Sequence, residues 1–187
     1  RKKSMKKLSI TILSLFFLYR VNAQDKLYSK EAKISFYSKT AMENIDAVNN
    51  KGLCFWNTVT GEFEFSVLIK GFQFNSALMQ EHFNENYMES DKFPKAVFKG
   101  VLVVATSFSL QANGTYNVSA EGMLTIHGVS KKISVPVNIT SKNGRFSAST
   151  NFRVLVKDYN ISIPAVVADK IDKQISISVS APAFKKL

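Results

Sequence analysis

Between Glu62 and Val67 every second residue is apolar: Phe63, Phe65 and Val67 alternate with Glu62, Glu64 and Ser66. A backbone that sends successive side chains to opposite faces is a strand, and this one has a buried face and a wet one. The same period returns through residues 116–122, in Ile133, Val135, Val137 and Ile139, and in Phe146, Ala148, Phe152 and Val154. It returns again where Ile175, Ile177 and Val179 oppose Ser176, Ser178 and Ser180, and residues 33–38 and 96–105 add two more strand-like runs. Asn113-Gly114, His127-Gly128 and Asn143-Gly144 fall between runs and suit reversals between adjacent antiparallel strands. About eight strands punctuated in this way predict an all-β antiparallel chain, either a sandwich or a barrel. A barrel of that size leaves no free edge and has an interior able to hold one small ligand.

One segment breaks the period. From Ser76 to Glu89 the apolar residues are Leu78, Met79, Phe83 and Tyr87, with Glu81, Glu85 and Glu89 between them. That spacing predicts a short amphipathic helix, capped by Ser76 and ended by Lys92-Phe93-Pro94. In an all-β chain such a helix either crosses one barrel opening or packs over a core.

The chain of 187 residues is the size of one domain, and no low-complexity linker or long repeat divides it. Residues 1–23 read as an address label. Lys6 and Lys7 follow Met5, an apolar run extends from Leu8 to Leu18, and the small-residue stretch Val21-Asn22-Ala23 precedes Gln24. Cleavage after Ala23 is expected, because the run is shorter than the roughly 20 apolar residues that span a bilayer. Arg1 to Ser4 stand before the start residue Met5 and carry no fold information. The expected organisation is therefore a signal peptide over 1–23 and one domain over 24–187, periplasmic or secreted.

Removing the leader also changes the charge. Six of the 25 basic residues lie in it and none of the 14 acidic ones, so the net charge falls from +11 to +5. The remaining lysines and arginines are scattered, with no basic run interleaved with stacking aromatics, which argues against nucleic acid as a partner. A transient contact with a membrane surface is compatible with the residual charge. The single cysteine, Cys54, excludes an intramolecular disulfide and any multi-cysteine metal site. Its setting, Leu53-Cys54-Phe55-Trp56, is that of a small core residue.

Two blocks carry a resemblance. The first is Met79-Gln80-Glu81-His82-Phe83, followed by Tyr87-Met88 and by Lys92-Phe93-Pro94-Lys95-Ala96-Val97-Phe98. The second runs from Gly122-Met123-Leu124-Thr125-Ile126 into His127-Gly128-Val129-Ser130-Lys131. In this order and spacing they resemble the YceI-like family, most strongly from Phe63 to Ile139. The resemblance implies a lipocalin-like barrel of about eight antiparallel strands, with one short helix near an opening and a tunnel for an isoprenoid or comparable lipid chain. It also implies an envelope or secreted location. The chain departs from the commoner pattern at Gln80 and Glu81, where a basic residue often precedes the histidine, and at Asn151-Phe152-Arg153.

An isoprenoid offers only methyl and methylene surface, so its site must be an apolar tube. Phe63, Phe65, Val67, Phe98, Tyr116, Val118, Phe152 and Val154 are candidates for the wall, with Leu78, Met79, His82 and Phe83 of the helical segment at the mouth. The wall residues equally suit a filled core. His82 can share a helix face with Glu85 but not with adjacent Glu81, which makes it either a helix ion pair or a polar contact to a ligand head group. His127 is expected to hold its hairpin through a backbone hydrogen bond. No metal-ligand spacing, phosphate cradle or nucleophile elbow occurs, and neither a cofactor nor a metal is expected. The leading reading is an exported binder or carrier of a lipid-like ligand and not an enzyme. Its rivals are a structural or stress-related envelope module with a filled core, and an enzyme using His82 on a lipid-like substrate.

Overall fold

The computed structural model describes residues 26–103 and 113–187. The leader 1–23 and the last residues of the run 96–105 lie outside the described residues. Eight strands form the wall: β1 (Lys26–Lys39), β2 (Asn44–Asn57), β3 (Glu62–Leu68), β5 (Lys95–Val103), β6 (Gly114–Ile126), β7 (Val129–Lys142), β8 (Arg145–Leu155) and β9 (Gln174–Ala181). Two short strands, β4 (Gln73–Phe74) and β10 (Lys185–Lys186), add to β2 and β1. All pairings are antiparallel. The order runs β1-β9-β8-β7-β6-β5-β3-β2 and returns to β1, so the sheet is a closed eight-stranded barrel.

Local chemistry sets the path. His127 and Gly128 have φ of 50° and 74°, and Asn143 and Gly144 have 52° and 72°. Two successive positive-φ residues make the type I′ turn, whose twist matches that of the flanking strands. Asn113-Gly114 behaves differently: Gly114 opens β6 after a longer connection from β5, most of it outside the described residues. On β1 the register shifts between Ser29 and Ala32 and again between Ala32 and Ile34. Lys30 and Glu31 are both exposed there, and Asn50 and Lys51 match them on β2. Such bulges bend a strand without turning its apolar set outward.

Between β7 and β8 the ladder runs only from Asn138↔Ser149 to Lys142↔Arg145. Above it the two strands part, and Pro136 stands in the stretch of β7 that has one unpaired edge, where a missing N–H is tolerated. The buried Tyr159, in a short 3-10 turn over Val156–Tyr159, packs beside β7.

The barrel has two unlike ends. At one end, the mouth, lie the turn 40–43, the excursion 69–94, the His127-Gly128 turn and the connection 156–173. At the other, the floor, Trp56 meets Phe146 and Phe184 edge-on, each at 5.8 Å between ring centroids. Phe184 N–H also donates to the Phe146 carbonyl at 3.0 Å, which holds the C-terminal segment under the floor.

Gly100 and Gly122 face each other across β5 and β6. A methyl group on Gly122 would overlap the Lys99 carbonyl oxygen, and one on Gly100 would overlap that of Glu121. The strands approach this closely only because neither residue has a side chain, as at a barrel corner. Gly122→Ala is expected to lower stability by about 2 kcal/mol through overpacking, read as a lower urea midpoint. An unchanged midpoint would mean the two strands can part without cost.

Candidate ligand cavity

Within the barrel, from the mouth to a level above the floor, is an apolar cavity of about 500 Å³. Every wall strand contributes alternate residues to it: Ile34 and Phe36 from β1, Cys54 from β2, Phe63, Phe65 and Val67 from β3, and Phe98 from β5. Ala120, Leu124 and Ile126 come from β6, Ile133, Val135 and Val137 from β7, Phe152 and Val154 from β8, and Ile175, Ile177 and Val179 from β9. This is the inward face that strand alternation requires.

The mouth is built by the two long connections. In the first, Ser76 caps helix α1 (Ala77–His82) by accepting from Met79 N–H at 3.4 Å, and Gln80 Oε1 accepts from Phe74 N–H. The segment is not one continuous α-helix to Glu89. After His82 it widens into a π turn over Phe83–Tyr87, closed by Met88 N–H to the Phe83 carbonyl, and Glu89 has φ of 40°. The wider turn carries Glu85 off the face of His82, and no ion pair joins them. Of the two alternatives for His82, the helix ion pair with Glu85 is absent, and His82 stands exposed on the cavity rim.

Phe83 anchors this segment. It stacks on Phe36 at 5.3 Å and meets Phe74 at 5.0 Å and Phe72 at 5.7 Å. Leu78 remains 60% exposed although it borders the cavity. The second connection brings Tyr159, Ile161, Val167 and Lys170 to the opening.

His127 ties the mouth together, although it does not brace its own hairpin. Its Nδ1–H donates to the Tyr159 carbonyl at 3.1 Å, its Nε2 lies 2.8 Å from Glu89 Oε2, and its ring meets Phe93 at 4.5 Å. One side chain from a two-residue turn therefore clasps both long connections. A hairpin-local hydrogen bond was the expectation, and the tertiary contact replaces it because the ring points away from the turn.

Ten of the twelve residues expected to contact ligand border the cavity: Phe63, Phe65, Val67, Leu78, Met79, His82, Phe83, Phe98, Phe152 and Val154. Tyr116 and Val118 do not. They share the face of β6 that carries Ala120, but lie farther toward the floor, where the cavity has already ended. Sequence reasoning passed over Phe36, Phe72, Phe74 and the whole 156–173 connection. Strand parity identified the inner faces of β7 and β9 without showing how far the hollow extends.

The electrostatics of the wall are those of an apolar interior. Thr150 Oγ1 is buried on it without a protein partner. Burial raises the Tyr159 phenol, and the neighbouring Asp158 carboxylate adds to the shift. Burial alone pushes the Cys54 thiol up from 9.0 to about 12. Among the described residues no group of three or more His, Cys, Asp and Glu side chains is placed to hold a metal.

A sequence profile of the YceI-like domain matches residues 22–183. The chain belongs to the YceI-like family. No curated protein matches it. Similar solved structures include a polyisoprenoid binding domain from Saccharophagus degradans implicated in plant cell wall breakdown, at 13% identity and a TM-score of 0.73, covering 86% of this chain and 97% of that one. Burkholderia cenocepacia BcnA is 14% identical with a TM-score of 0.67, covering 82% and 96%. The Campylobacter jejuni YceI protein is 15% identical with a TM-score of 0.55, covering 100% and 92%. At these identities the likeness establishes the YceI fold.

The Cys54 shift fixes a pH dependence. The folded thiol holds its proton to about pH 12 whereas the free thiol loses it near 9.0. This contribution to stability is complete below pH 9.0 and declines as pH rises from there toward about 12. Iodoacetamide at mildly alkaline pH should leave Cys54 unmodified in the native protein and alkylate it in urea. Equal rates in both states would overturn the burial assignment.

Proposed function

We propose that this YceI-like protein is an exported binder or carrier of an isoprenoid-like lipid. The observation that carries this reading is the apolar cavity of about 500 Å³ in a barrel whose wall is otherwise well packed. A barrel serving only as a structural module has no need of such a hollow, since filling it with side chains would add stability. A lipid chain gains about 0.8 kcal/mol for each methylene removed from water. Sixteen such groups would give on the order of 13 kcal/mol before the costs of association and ordering are subtracted. The polyisoprenoid-binding description of a structural neighbour agrees with this chemistry. Phe63, Phe65, Val67, Phe98, Phe152 and Val154 solvate the chain, while Leu78, Met79, His82 and Phe83 guard the entrance. Among the described residues His82 forms no ion pair with a carboxylate that could share its proton.

Organic extraction of the purified protein followed by mass spectrometry should yield a co-purified lipid, or the delipidated protein should take up an isoprenoid such as farnesol or geranylgeraniol. Failure of both would overturn the reading. Export rests on residues 1–23, and the protein recovered from the envelope fraction or medium of a bacterial host should begin at Gln24. Recovery in the cytosol with the leader intact would refute it.

A further inference from the structure

The cavity stops at a definite depth. On four of the eight wall strands the deepest lining residue is a small side chain, Cys54, Ala120, Ala148 or Ala181. The next inward-facing residue toward the floor is Trp56 on β2 and Phe146 on β8, and neither borders the cavity. Trp56 meets both Phe146 and Phe184 edge-on, and Trp56 and Phe184 are buried. The charged side chains that border the hollow, Glu43 and Lys170, and the His82 imidazole belong to the mouth connections, while the wall strands add only the hydroxyls of Ser38, Ser149 and Thr150. A ligand that enters tail-first therefore meets an aromatic wall while its polar end is still at the mouth.

We propose that the barrel is a blind, length-limited pocket for a single prenyl-type tail of about 15–20 carbons, taking about 30 Å³ for each water-sized group in the hollow. This rests on the lipid-binding reading and adds a limit to it. A longer chain leaves its remainder in water, and each methylene left there shifts the equilibrium between a bilayer and the protein about fourfold toward the bilayer. Length selection thus follows from geometry without any head-group contact.

The test is extraction from phosphatidylcholine vesicles holding labelled farnesol, geranylgeraniol or solanesol, with the delipidated full chain as acceptor. Farnesol and geranylgeraniol should move into the protein fraction, and solanesol should stay with the vesicles. Ala148→Leu, which fills the bottom of the cavity, should lower the ratio of geranylgeraniol to farnesol extracted by about tenfold or more. Solanesol extracted as well as farnesol would overturn the length limit and leave the lipid reading standing. Extraction of none of the three would overturn both. If Ala148→Leu fails to fold by circular dichroism, the wild-type series decides alone.

Discussion

Everything in this protein depends on β1 pairing with two partners at once. One edge runs along β2 and the other along β9 and β10, so the sheet that begins at β1 also ends there. Without that double pairing the sheet would expose two edges, and its apolar face would have no opposite wall. The cost is curvature, met by the paired bulges at Lys30-Glu31 and Asn50-Lys51 and by Gly100 opposite Gly122. Gly52, opposite Ala32, belongs to the same set: a methyl group there would press on the Ala32 carbonyl and the Phe65 ring.

Closure makes an interior, and the lengths of the connections divide it. Floor connections are mostly short, and large rings fill that end. Two of the four mouth connections, 69–94 and 156–173, are long enough to carry their own apolar residues, so they rest on the rim and leave space beneath. Phe83 and Phe36 hold one of them to the wall, and His127 holds that one to the other through Glu89 and Tyr159. The same barrel is therefore a packed core at one end and a container at the other.

Much of this was legible in the residues. Alternation in Glu62–Leu68 and Gln174–Ala181, and the positive-φ dipeptides His127-Gly128 and Asn143-Gly144, identified strands and hairpins directly, because period and turn type are local properties. The cap at Ser76 was legible for the same reason. Three expectations gave way to tertiary geometry. The helix past His82 opened into a π turn, which separated Glu85 from His82. His127 reached across to another connection, and Tyr116 and Val118 fell below the cavity.

The sequence by itself determined which side chains face inward, since parity along a strand is fixed once one residue is buried. It also determined that its single thiol could make no internal bridge. Only the tertiary structure decided that the sheet closes, and that the inward residues are a floor on one side of Ala120 and Ala148 and a cavity wall on the other. The physical reason is that depth in a barrel depends on how tilted strands line up across the closure. That alignment joins β1 to β9, which are distant in the chain, and no local pattern records it.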